Sequence, residues 1–142
     1  MHTDVDIYRR VIAAKNFMDE NYHEPIHLEH ISQRAFFSRF HFHRLFTRVY
    51  GRTPLEYLTT KRLQQAKYLL QQEGISIQEV CSSVGFESLA SFSLLFRKRN
   101  GYAPQYYRNL AHLKNKLAKE QPQRFIPNCI IQNMVAKNSN IQ

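Results

Sequence analysis

Residues 29–57 read EHISQRAFFSRFHFHRLFTRVYGRTPLEY, and residues 79–107 read EVCSSVGFESLASFSLLFRKRNGYAPQYY. Laid fifty positions apart without a gap, the two strings share Glu29/Glu79, Ser32/Ser82, Phe36/Phe86, Ser38/Ser88, Phe42/Phe92, Leu45/Leu95, Phe46/Phe96, Gly51/Gly101, Pro54/Pro104 and Tyr57/Tyr107. A solenoid needs three or more stacked units, so two copies predict a tandem pair of modules inside one domain. Each copy reads as a short helix, a tight turn and a longer helix with a basic outer surface.

Outward from the repeat, glycine and proline punctuate an almost wholly helical chain. Gly51, Gly74, Gly85 and Gly101 are expected at helix ends as left-handed caps. Pro54 and Pro104 are expected at helix starts, where a missing N–H costs nothing. The marks predict about seven helices: 5–21 with Thr3 as N-cap, 28–34, a third from the Ser38 cap to 50, a linker helix over 54–73, 77–84, 88–100, and one from 104. Thr53 with Glu56, and Ser76 with Glu79, spell capping boxes. The expected apolar faces are Tyr8, Val11, Ile12, Lys15 and Met18 in the first helix, and Leu55, Leu58, Leu63, Ala66, Leu69 and Leu70 in the linker. Beyond Pro122 the signals fade, apart from an apolar patch at 129–135. That tail reads as a disordered extension, a docking segment or the stub of something longer.

The chain has 142 residues, enough for one domain with its own core, and a formal net charge of +9. Such a charge points to a polyanion, nucleic acid ahead of an anionic membrane surface. No apolar run is long enough to span a bilayer, and Thr3, Asp4 and Asp6 stand where a signal peptide would be basic and then apolar. A cytoplasmic, nucleoid-associated protein is expected. Cys81 and Cys129 make no metal-type spacing and read as reduced structural thiols.

In the third helix Phe42, Leu45, Phe46 and Val49 share the core side. Phe40, His43, Arg44 and Thr47 therefore face outward, flanked by Arg39 and Arg48. Arginine can grip guanine O6 and N7 with two parallel bonds, histidine can donate to the same acceptors, and a phenyl ring can pack on a thymine methyl. The bland alternative is a solvated basic face with one stray aromatic. His41 and His43, two apart, point in different directions, and His23, His27 and His30 carry no ligand pattern. No nucleophile elbow, phosphate loop or carboxylate dyad occurs, so no enzyme, metal or cofactor is expected.

The strings SRFHFHRLFTRVYGRTPLEYL, KRLQQAKYLL and SIQEVCSSVGFESLASFSLLFRKRNGYAPQYYR together resemble the DNA-binding domain of the AraC/XylS transcription regulators over about residues 5–110. Gly85, Phe86, Phe92, Phe96, Gly101, Pro104 and Tyr107 are the most specific part of the match. The resemblance implies an all-α fold of two helix-turn-helix subdomains, about 5–52 and 75–110, joined by the linker helix. It also implies a recognition helix in each of two successive major grooves of double-stranded DNA. Phe40, His43, Arg44 and Thr47 would read bases from the first; Leu89, Ala90, Ser93 and Leu94 stand at the corresponding positions of the second. Ser38, Arg39, Arg48, Ser88, Arg97 and Lys98 would meet phosphate, as would one of Lys61 and Arg62.

Grooves on one face of B-DNA recur about every 34 Å, and a linker of that length would span roughly 30 Å. One monomer is thus expected to reach both, with no dimer required. The chain departs from the family at Leu89, Ala90 and Leu94, where polar or basic residues are usual. Leucine and alanine there can touch thymine methyls while Arg97, Lys98 and Arg99 supply charge for phosphate; in the rival reading the apolar surface makes a protein-interaction module touching a partner such as RNA polymerase. Family habit implies activation. Residues 111–142 are expected as an extension, helical at first and then irregular, with no room for an effector pocket; if the chain is complete, abundance would set its activity.

Overall fold

A computed structural model describes residues 3–120. Among them lie seven helices and no strand: α1 (Asp4–Asn21), α2 (Leu28–Arg34), α3 (Arg39–Tyr50), α4 (Pro54–Leu70), α5 (Ile77–Ser83), α6 (Leu89–Asn100) and α7 (Pro104–Glu120). Short polar side chains start five of them. Thr3, Ser38 and Ser88 accept from the N–H of Asp6, His41 and Ser91 at 3.3, 3.2 and 3.3 Å. Both capping boxes close, Glu56 and Glu79 accepting from the Thr53 and Ser76 N–H at 3.0 and 2.7 Å. Gly51 and Gly101 end α3 and α6 in the left-handed region at φ 69° and 85°.

Two apolar cores result. The first gathers Val11, Ala14, Met18, Ile31, Ala35, Phe42, Phe46 and Leu58; the second Leu63, Ala66, Leu70, Val80, Cys81, Val84, Phe92 and Phe96. Helix α4 belongs to both, giving Leu58 to one and Leu63, Ala66 and Leu70 to the other. Tyr22, just after α1, packs against both as well.

The structure corrects the repeat's register. The Phe37 N–H donates to Ser32 O at 3.0 Å, and the Phe86 N–H to Cys81 O at 3.1 Å. Phe37, not Phe36, is therefore the counterpart of Phe86, and buried Ser32 that of buried Cys81. Helices α2 and α5 are related by forty-nine positions and α3 and α6 by fifty, because the second turn holds one more residue, Glu87. Phe36 is 83% exposed at φ 58° and takes the place of Gly85, at φ 91°. The identities Glu29/Glu79, Ser32/Ser82 and Phe36/Phe86 are coincidences of composition, since turn hydrogen bonds and burial are what repeat.

Tyr8, Ile12 and Leu55 are 49%, 47% and 70% exposed and leave the expected core faces; Ala14 joins the α1 core instead. Helix α4 ends at Leu70 with Gln71 as C-cap, so Gly74, at φ 80°, lies in the following loop. The intervening Gln71, Gln72 and Glu73 are exposed and have no apolar face to extend the helix. Its 17 residues cover roughly 25 Å, shorter than expected. Helix α7 carries on past position 110 to Glu120. The expectations for the tail, Cys129 and the 129–135 patch among them, fall outside the described residues.

Candidate nucleic-acid interface

Phe42 and Phe46 anchor α3, both fully buried, while Leu45 and Val49 pack along the edge of the first core. Helical periodicity then turns Phe40 and Arg44 to solvent. Phe40 is 71% exposed, and the Arg39 guanidinium lies 5.1 Å from its ring centroid. Arg39, Arg44 and Arg48 are exposed, whereas His43 and Thr47 are half-buried. The Thr47 hydroxyl donates to His43 O at 2.7 Å, which occupies its proton and leaves only lone pairs for an outside donor. The face thus offers three guanidiniums, an imidazole and an open ring.

Helix α6 repeats the mount with different chemistry. Phe92 and Phe96 are buried as their counterparts are, and Leu94, at the place of Arg44, is 70% exposed. Leu89 and Ala90 are exposed and Ser93 half-buried. Arg97 and Lys98 stand exposed in the last turn, with Arg99 beside them. Ser38 and Ser88 accept one backbone N–H each, so each hydroxyl keeps a proton to donate. Neither helix carries a carboxylate, so α3 is positive along its outer face and α6 is positive at its last turn.

The expected site residues thus fall on two helices, one on each core. Of the remaining pair, Arg62 turns inward: its Nε and Nη2 donate to Tyr22 O and Glu24 O at 2.7 and 2.9 Å. Lys61 Nζ lies 5.9 Å from the Tyr22 ring centroid. Sequence reasoning missed Arg10, whose Nε donates to Ala35 O at 2.8 Å, whose Nη2 donates to Phe36 O, and whose guanidinium sits 3.9 Å over the Phe37 ring. It pins the turn that leads into α3. A signal existed: RVIAAKNFM at 10–18 and RLQQAKYLL at 62–70 align as arginine, apolar, alanine, lysine, apolar. Among the described residues no group of three or more His, Cys, Asp or Glu side chains could hold a metal ion, and no helix is long and apolar enough to cross a membrane.

Two short-helix, turn, longer-helix units set on a shared helix define a tandem helix-turn-helix protein. Residues 31–110 match the family described as a helix-turn-helix domain. The chain belongs to the AraC/XylS family of DNA-binding transcription regulators. It is 31% identical over 97 residues to the probable transcriptional regulator LumQ of Photobacterium leiognathi, which is 68% of this chain and 39% of LumQ. It is also 31% identical over 113 residues to the lactose operon transcription activator of Staphylococcus xylosus, covering 79% of this chain and 40% of that one. The chain therefore spans about two-fifths of the length of these curated relatives. The crystal structure of the DNA-binding domain of the global transcriptional factor AdpA, in complex with a target DNA, matches with a TM-score of 0.67 at 31% identity, over 80% of this chain and 97% of that one.

Proposed function

We propose that this chain is a sequence-specific, double-stranded DNA-binding transcription regulator, acting as an activator in the cytoplasm at the nucleoid. Helices α3 and α6 enter successive major grooves, and a monomer suffices, because α4, roughly 25 Å long and shared by the two cores that carry them, is on the scale of the roughly 34 Å groove repeat. The carrying observation is that two carboxylate-free, cationic helices recur at the same place on two cores. Phe40, His43, Arg44 and the lone pairs of Thr47 read bases from α3. Leu89, Ala90, Ser93 and Leu94 touch thymine methyls from α6. Ser38, Arg39, Arg48, Ser88, Arg97 and Lys98 hold phosphates.

The bare apolar surface at Leu94 favours a second reading, in which α6 docks on a protein such as RNA polymerase. Selection of bound sequences from random duplex DNA, followed by a salt titration on the winner, tests the proposal. A recovered motif whose affinity falls steeply with salt supports it, since each neutralised phosphate releases counterions. Failure to enrich any sequence sinks it.

A further inference from the structure

Arg62 lies on α4, the helix common to both cores. The carbonyls it bonds, those of Tyr22 and Glu24, belong to the segment that follows α1 in the first unit. On its other side the guanidinium carbon lies 5.9 Å from the ring centroid of Phe86, in the turn of the second unit. Gly85 completes this junction. A Cβ there would stand 2.6 Å from Tyr22 O, 3.1 Å from His23 C and 3.0 Å from Arg62 Nε, so the second turn meets the first unit's backbone more closely than any side chain permits.

Arg10 occupies the same place in the first copy yet bonds only within its own unit, to Ala35 and Phe36. The repeat thus contains one arginine that pins its own turn and another whose two directed, charge-assisted bonds cross to the neighbouring unit. Rotating one unit against the other would break both bonds and open the Gly85 contact.

We propose that Arg62 is a positioning residue that locks the two units at one mutual angle, and thereby sets the spacing and phase of the two DNA half-sites the protein accepts. The inference rests on reading α3 and α6 as DNA-contacting helices, but the lock itself does not. A rigid pair of units gains a high effective concentration for the second half-site only when the spacing suits; a loose pair loses affinity and tolerates wrong spacings.

The test uses the full chain with Arg62→Met and Arg62→Lys, on three duplexes: natural spacing, two base pairs inserted, and second half-site scrambled. Arg62→Met should bind the natural duplex about tenfold more weakly, bind the scrambled duplex within about twofold of wild type, and lose most of the wild-type penalty for the insertion. Arg62→Lys should behave like Arg62→Met, because an ammonium keeps the charge but lacks the planar fork. Rescue by lysine, or equal losses on the natural and scrambled duplexes, would make Arg62 a phosphate contact and overturn the lock. Without DNA, spin labels at the exposed positions Gln33→Cys and Gln78→Cys, in a Cys129→Ser background, should give a narrow distance distribution that Arg62→Lys broadens. An unchanged distribution refutes the lock. If the wild type binds no duplex, the DNA-binding reading fails while the labels still decide the lock.

Discussion

The Tyr57 hydroxyl donates to Asp19 Oδ1 at 2.7 Å and so ties the start of α4 to the end of α1. Tyr107 repeats the pin on α7, accepting from Gln71 Nε2 at 3.0 Å. Burial pushes the Asp19 carboxyl up, but bonds from Lys15 and Tyr57 outweigh it and hold the group below its usual range. The folded chain therefore binds fewer protons at Asp19 than the unfolded chain does. The stabilisation is complete above the ordinary carboxylate range and is lost as pH falls through the lowered folded value. Asp19→Asn should cost about 1.5–3 kcal/mol at pH 7, the worth of a hydrogen bond to a charged group. Urea denaturation at several pH values should show the gap from wild type closing below pH ~4; a gap independent of pH would remove charge from the account.

Arg44 and Leu94 occupy matching exposed places, so the two half-sites should be read unequally. Single base-pair scans at one fixed salt concentration should find a discriminating half-site under α3, about 1–3 kcal/mol per wrong base pair, and a permissive one under α6. Arg44→Ala should erase preference at one base pair of the first. Leu94→Arg should raise affinity and create a guanine preference in the second. Two equally discriminating halves in the wild type would mean that α6 reads sequence through methyl contacts or DNA shape.

Leu63 is 4% exposed within the second core, whereas Leu55, on the same helix, is 70% exposed. Leu63→Ala should cost roughly 2–5 kcal/mol, and Leu63→Asp should prevent folding by burying an unpaired carboxylate. Leu55→Asp should shift stability by no more than about 0.5 kcal/mol. Thermal midpoints check all three, and similar losses at 55 and 63 would show that the helix face is misplaced.

Phe36 holds a left-handed backbone that costs a residue with a Cβ about 1–2 kcal/mol, while its ring is 83% exposed and has little burial to lose. Phe36→Gly removes that strain but adds glycine's unfolded-state entropy, about 0.5–1 kcal/mol. The variant should gain up to about 1 kcal/mol, a rise of some 2–4 °C in thermal midpoint for a chain of this size. A lower midpoint would mean that the ring packs usefully.

Most helix limits and caps, though not the end of α4, together with the two Phe pairs of the cores and the outward stripe of α3, were legible in the sequence, because each depends on residues within a turn or two of one another. Ser38 caps α3 through a neighbour three residues away, and Phe42 and Phe46 share a face by helical spacing alone. Identity matching placed α3 on α6 but misplaced α2 on α5 by one residue, because it rewards equal letters while the fold repeats burial and turn hydrogen bonds; Phe37 and Phe86 correspond although the gapless alignment sets Phe36 there. Tyr8, Ile12 and Leu55 also looked like core. Helical spacing says which residues share a face, not how wide a face its neighbours will cover.

The sequence by itself thus determined a helical tandem of two units and the chemistry that α3 and α6 present outward. Tertiary structure alone decided what crosses between those units. Nothing near position 62 marks Arg62 as a donor to carbonyls some forty positions earlier, or Gly85 as lying against Tyr22. Such a contact depends on where two separately built cores come to rest on α4, and that is settled by packing over the whole surface of each, not by any local run of residues.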